Sequence, residues 1–100
     1  MNKIPVESIA IGDVILPPAR ELQLWMRRDA AARGLAESAL HLTVTAVYES
    51  ASDKNGRWIV VRCARSSAWL AGRPDYGFSF KSRPMTSWPI IQRAAATVAA

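Results

Sequence analysis

A chain of 100 residues, half of them hydrophobic, is long enough to form one small domain with its own core. Its composition excludes general disorder, and the absence of about 18 consecutive apolar residues excludes a membrane-spanning helix. The net charge of +5 is unevenly distributed, since residues 1–56 carry six basic and seven acidic side chains, whereas residues 57–100 carry seven basic side chains and a single acid, Asp75. This asymmetry indicates an anionic partner for the C-terminal part.

Residues 6–16 are predicted to form a short strand on either side of a bend or bulge. Their apolar side chains are interrupted by Gly12-Asp13, a pair that favours a turn. The N-terminal region contains no apolar run followed by a small-residue cleavage site, so export by a signal peptide is not expected. The single cysteine, Cys63, cannot form an intramolecular disulfide and fits a reducing compartment. We therefore predict a cytoplasmic protein.

One helix is predicted over residues 19–33, after two prolines that end the strand and can begin a helix. Gly34 suits the C-terminal cap, because glycine readily adopts the left-handed conformation. The side chains that share one apolar stripe at helical spacing, and are therefore predicted to pack on the sheet, are Leu22, Trp25 and Met26. Leu24 and Ala31 lie off this stripe and are candidates for a homodimer surface.

The most regular pattern predicts an antiparallel hairpin from residues 40–48 and 57–63. Both runs are rich in β-branched and aromatic side chains, and a polar stretch ending in Asn55-Gly56 favours a turn between them. Strict alternation predicts that the core face of the first run consists of Leu40, Leu42, Val44, Ala46 and Tyr48. Val47 departs from this alternation. The second run alternates with Ile59, Val61 and Cys63 on one face and Trp58, Val60 and Arg62 on the other.

A long connection is predicted over residues 64–77, where glycine, proline and serine are frequent, and such loops are often functional. Residues 77–83 predict a third main strand, and residues 88–91 predict a short last strand or an apolar clasp over the core. Residues 94–100 form an alanine-rich tail that is predicted to be frayed. The predicted fold is a single α+β domain over residues 1–93. It consists of a strongly bent antiparallel sheet or small, partly open β-barrel of four to five strands, with one helix inserted between the first strand and the central hairpin.

Signals for catalysis or metal binding are weak. His41 and Cys63 are each the one residue of their kind, which is too few for a structural zinc site. A Cys63–His41 nucleophile pair competes with the interpretation of Cys63 as an inert, buried thiol, which its place in a strand favours. The five glycines are scattered and form no phosphate-binding loop. We predict a non-enzymatic protein without a cofactor.

Cations and aromatic rings are interleaved after Gly56. Single-stranded nucleic acid is bound by this combination, because arginine and lysine neutralise phosphates while exposed rings stack on unpaired bases. The predicted nucleic-acid-binding residues are Arg62, Arg65, Trp69, Arg73, Tyr76, Lys81 and Arg83. In the competing interpretation the basic residues form a solvated face and the core is filled by Trp58, Phe78, Phe80 and Trp88.

The alternative function is a protein-interaction module, such as an accessory or inhibitory protein that docks on a larger complex. Trp69 beside Arg65 and Arg73 would anchor such a contact, since the energetic centres of interfaces are enriched in tryptophan and arginine. Salt separates the two hypotheses, because phosphate contacts weaken steeply with salt and a contact centred on an apolar ring does not.

Overall fold

The computed structural model describes residues 2–50 and 56–94, and six strands of this part form one antiparallel sheet. The strands are β1 (Lys3–Pro5), β2 (Val14–Ile15), β3 (Leu42–Ser50), β4 (Trp58–Arg65), β5 (Phe78–Ser82) and β6 (Ser87–Gln92). Their order in the sheet is β1-β6-β2-β3-β4-β5, and the sheet curls into a half-barrel. The predicted α+β class and bent antiparallel sheet are confirmed, with six strands instead of four or five.

The main helix, α1 (Arg20–Ala32), agrees with the predicted helix to within one residue at each end. It ends in a Schellman cap at Gly34, which has φ of +71°. The N–H of Leu35 donates to the carbonyl of Ala30 at 2.8 Å, and the N–H of Gly34 donates to Ala31 at 3.2 Å. The other helical elements are a second short helix, α2 (Ser67–Leu70), and 3-10 turns at Val6–Ser8 and Glu37–Leu40. No helix in the described ranges is long and apolar enough to cross a membrane.

The core has two parts. The first lies inside the half-barrel and contains Val6, Ile9, Ile15, Leu42, Val44, Ile59, Val61, Cys63, Trp88 and Ile90. The second lies beside α1 and contains Leu16, Met26, Ala30, Leu40 and Trp69. Because Met26 belongs to the second part and Trp25 is 57% exposed, the prediction that the apolar stripe of α1 packs on the sheet is wrong. The helix packs instead on the Glu37–Leu40 turn and on α2.

The ladder between β3 and β4 contains a bulge. Val44 pairs with Cys63 and Ala46 pairs with Arg62, so Thr45 is an extra residue without a partner in the ladder. An extra residue in one strand reverses the alternation of every side chain that follows it.

The bulge corrects the predicted core face of β3. Val47, the departure from strict alternation, packs against the core, whereas Tyr48 turns to the opposite face and is 51% exposed. The prediction therefore holds for Leu42 and Val44, which precede the bulge, and fails for Ala46 and Tyr48, which follow it. Leu40 is buried too, but it lies in the 3-10 turn before β3 and belongs to the second part of the core.

The predicted bend at Gly12-Asp13 is confirmed and a strand follows it at Val14–Ile15, but the strand predicted before it is wrong, because Val6–Ser8 form a 3-10 turn. The bend also holds the C-terminal end of the described chain. Gly12 has φ of +93°, and the Asp13 side chain is buried. The backbone N–H groups of Ala10 and Ala94 donate to the Asp13 carboxylate at 2.9 and 2.6 Å. Ala94 is thus held at the start of the segment predicted to be a frayed tail, and residues 95–100 lie outside the described residues, as does Asn55 of the predicted hairpin turn.

Candidate binding surfaces

The residues predicted to bind nucleic acid lie in two separate places. Arg62, Lys81 and Arg83 lie on or next to the outer face of β4 and β5, which is the face turned away from the half-barrel core. Arg65, Trp69, Arg73 and Tyr76 line a groove beside α1. The separation follows from strand alternation, because Arg62 and Arg65 are three positions apart on β4 and so point to opposite faces.

Three neighbouring strands build the outer face. Tyr48 of β3 pairs with Val60 of β4, and Val60 pairs in turn with Lys81 of β5, so these side chains form a row across the sheet. Trp58 and Arg62 lie on β4 at either side of this row. We call the set formed by Tyr48, Trp58, Val60, Arg62, Lys81 and Arg83 the outer platform.

The Trp58 ring is half-buried and is covered by two cations of the outer platform. The Arg83 guanidinium lies 3.8 Å and the Lys81 ammonium 5.1 Å from the ring centroid, which are cation–π distances. The Trp58 indole nitrogen is buried and has no hydrogen-bond partner among the described residues. The interpretation that Trp58 fills the core is therefore wrong. Trp88 is buried in the first part of the core as expected, and Phe78 and Phe80 of β5 pack against that part of the core.

Positive charge predominates around the outer platform. In the sequences 42–50, 57–62 and 78–83, four basic side chains accompany a single acid, Glu49. Glu49 forms an ion pair with Arg57, and this hydrogen bond raises the pKa of the Arg57 guanidinium. Arg62 and Lys81 are exposed and form no ion pair with any residue in the ranges 2–50 and 56–94. Their charges are therefore available to an anionic partner.

The groove beside α1 has a volume of about 480 Å³. Its lining residues are Trp25, Asp29, Arg33, Arg65, Trp69, Leu70, Arg73, Pro74 and Tyr76. Trp69 forms the floor and is only 5% exposed, and its ring centroid lies 6.1 Å from that of Trp25. It belongs to α2, which interrupts the long loop predicted here, and the hydroxyl of Ser66 caps that helix by accepting the Trp69 N–H at 3.1 Å.

Arg33 fixes one side of the groove. Its guanidinium donates to the Trp69 carbonyl at 2.6 Å and lies 3.4 Å from the Asp29 carboxylate. It also lies 5.0 Å from the centroid of the Trp69 ring. These contacts hold α1 against α2.

Arg65 fixes the opposite side through Asp75. The Asp75 carboxylate accepts the backbone N–H of Arg65 at 2.9 Å and its guanidinium at 3.0 Å, and the guanidinium lies 4.5 Å from the centroid of the Phe78 ring. Burial, the largest single influence, acts to raise the pKa of Asp75, but the hydrogen bonds from Arg65 and Gly77 outweigh it and hold this pKa below its usual value. The carboxylate therefore stays charged and clamps the 65–77 segment.

The mouth of the groove carries two exposed side chains. Tyr76 is 86% exposed, and Arg73 donates to the Leu70 carbonyl at 3.2 Å but forms no ion pair within the part of the chain that the structure describes. Both remain accessible to a partner.

The aromatic and basic residues of these surfaces that were not predicted as site residues are Trp25, Arg33, Tyr48 and Trp58. The sequence signal that could have placed Tyr48 on the exposed face is Val47, which departs from the strand alternation. The signal for Trp58 is its alternation with Arg62, which puts both side chains on the same face of β4. No sequence signal connects α1 with the segment around Trp69.

Cys63 is buried in the first part of the core, where burial raises the pKa of its thiol to about 12. The strand register places Val44, and not His41, opposite Cys63. Among the described residues, no group of three or more histidine, cysteine, aspartate and glutamate side chains could hold a metal ion.

Cys63 is expected to be unreactive toward an aromatic disulfide reagent in the folded protein at pH 8. Only about one thiol in 10⁴ would be ionised at that pH, and the reagent has no access to the core. Absorbance of the released thiolate, followed with and without urea, should show reaction on unfolding. Native labelling as fast as labelling in urea would place Cys63 at the surface.

Comparisons of the chain with protein-family models, curated proteins and solved structures found no match. The geometry of the two surfaces is therefore the evidence that bears on its function.

Proposed function

We propose that the protein binds single-stranded nucleic acid on the outer platform. The observation that supports this proposal is the juxtaposition, on one exposed sheet face, of aromatic side chains with the exposed cations Arg62 and Lys81. Sheet faces of this chemistry bind unpaired strands, because phosphates pair with the cations and bases stack on flat side chains.

Different residues of the outer platform would contact the phosphates and the bases. Arg62 and Lys81 supply exposed positive charges for phosphates. Tyr48 offers an exposed ring for one base. The Arg83 guanidinium, held 3.8 Å from the Trp58 ring centroid, offers a second stacking plane, since unpaired bases also stack on arginine guanidinium planes.

The same geometry favours a single strand over a duplex. In a duplex the bases are stacked on each other and cannot reach a ring such as Tyr48. The outer platform lies on a sheet face, and the helix α1 lies on another part of the molecule. Duplex DNA would therefore gain the phosphate contacts without the stacking contacts, and it should bind more weakly.

The double substitution Arg62→Ala with Lys81→Ala is expected to weaken binding of a single-stranded oligonucleotide by about tenfold or more at low salt. Each cation that pairs with a phosphate also contributes about 0.7 to the slope of log affinity against log salt, so the slope should fall by about 1.4. Fluorescence anisotropy with a labelled oligonucleotide at several salt concentrations measures both quantities.

The matched control is Arg20→Ala with Arg28→Ala, which removes the same charge from exposed positions of α1. The control should retain most of the affinity and the full salt slope. Equal losses in the two double variants would show that binding depends on net charge and not on the outer platform. The absence of any oligonucleotide binding at low salt would overturn the proposed function itself.

A further inference from the structure

The groove beside α1 has the chemistry of a protein-docking site. Six of its nine lining residues are tryptophan, tyrosine or arginine, which are the residue types enriched at the energetic centres of protein interfaces. We propose that this groove docks an acidic segment of a partner protein. An aromatic or large aliphatic side chain of that segment would lie against the exposed Trp25 ring, above the buried Trp69, and a carboxylate would pair with Arg73.

The apolar part of the groove is fixed before a partner arrives. Trp69 is held by the cap at Ser66 and by the Arg33 guanidinium at its carbonyl. Trp25 lies beside it on α1 with more than half of its surface exposed. Binding to rigid rings loses little conformational entropy, so an apolar side chain placed here would contribute much of its burial energy to affinity.

The charges of the groove select an acidic partner. Asp29 and Asp75 are already paired with Arg33 and Arg65, so those four groups largely compensate each other. Arg73 forms no ion pair within the described ranges and therefore leaves one positive charge at the mouth. An acidic side chain would find a partner at Arg73, whereas a basic one would be repelled.

The same features favour a protein over nucleic acid in the groove. The Trp69 ring is too deeply buried for a base to stack on it, and the Asp29 carboxylate lies in the lining, where it would repel phosphates. Leu70 and Pro74 add apolar surface that suits an aromatic or aliphatic side chain. The volume of about 480 Å³ fits a few side chains.

Panning a random peptide display library against the full chain tests the proposal, because the library samples many acidic and apolar segments at once. The enriched peptides should combine aspartate or glutamate with an aromatic or large aliphatic residue. A labelled synthetic copy of an enriched peptide should lose about tenfold or more in affinity, measured by fluorescence anisotropy, when Arg73 and Tyr76 are both replaced with alanine. Both side chains are exposed, so this variant should fold.

The double substitution of Arg62 and Lys81 on the outer platform is the matched control and should leave peptide affinity unchanged. The proposal is overturned if no peptide is enriched, if the enriched peptides are basic, or if Arg73→Ala with Tyr76→Ala leaves binding intact. It is also overturned if the groove variant loses oligonucleotide binding while the platform variant keeps it, because the groove would then be the nucleic-acid site. The two variants act on different surfaces, so failure of this proposal is distinguishable from failure of the proposed function.

Discussion

Replacing Trp69 with alanine is expected to lower the free energy of unfolding by about 3–5 kcal/mol, the usual cost of truncating a buried tryptophan. The ring is 5% exposed and packs with Leu16, Met26 and Leu40 in the second part of the core. Its removal would leave a cavity between α1, the Glu37–Leu40 turn and α2, and it would also remove the ring beneath the Arg33 guanidinium. Urea denaturation followed by circular dichroism measures the loss.

Trp25→Ala is the control for that experiment, because Trp25 is the same residue type in the same groove but is 57% exposed. Its stability should change by less than about 1 kcal/mol. Trp25→Ala is therefore also a usable variant for peptide binding, whereas Trp69→Ala is not. Equal stability losses in the two variants would contradict the assignment of Trp69 to the core and of Trp25 to the surface.

The hairpin and the main helix were predictable because their signals are local. The strand runs are rich in β-branched residues, and the polar stretch between them ends in Gly56, which adopts φ of +105°. The end of α1 follows from Gly34, whose positive φ is the conformation that glycine adopts readily. Each of these features depends on a few neighbouring residues.

The bulge at Thr45 shows that the alternation of side chains along a strand is not always sufficient to predict which face each side chain takes. A single extra residue moves Tyr48 from the core face to the exposed face and brings Val47 into the core. The sequence contains the signal in Val47, but one departure from alternation is equally consistent with an exposed valine. Only the pairing of Ala46 with Arg62 distinguishes the two possibilities, and that pairing is a long-range contact.

The position of α1 in the fold also could not be predicted from its hydrophobic periodicity. A helical stripe shows which side chains are buried together, as with Met26 and Ala30, but not which element covers them. The groove joins Trp25 of α1 to Trp69 of α2, residues more than 40 positions apart in sequence. The predicted cations were divided between two surfaces for the same reason, because clustering along the chain does not determine which face each side chain takes.

Asp13→Ala is expected to lower the free energy of unfolding by about 3 kcal/mol. Hydrogen bonds to a charged group contribute about 1.5–3 kcal/mol each, and the buried carboxylate accepts two of them, from Ala10 and Ala94. The substitution would leave both N–H groups without this partner and would release the end of β6 from the N-terminal bend. Chemical denaturation measures the total loss, and hydrogen exchange at the Ala94 amide reports the release directly.

Arg93→Ala separates the ion pair at this site from the backbone hydrogen bonds. The Arg93 guanidinium lies 3.4 Å from the Asp13 carboxylate and donates to the Ser8 carbonyl at 2.7 Å, but its side chain is 50% exposed. Half-exposed ion pairs contribute little, so this variant should lose only about 1 kcal/mol. If it lost as much as Asp13→Ala, the Arg93 ion pair would be the main stabilising contact. We expect Asp13→Ala to lose more stability than Arg93→Ala. Alanine cannot accept the backbone hydrogen bonds that the buried Asp13 carboxylate accepts, whereas water can replace the hydrogen bonds of an exposed guanidinium.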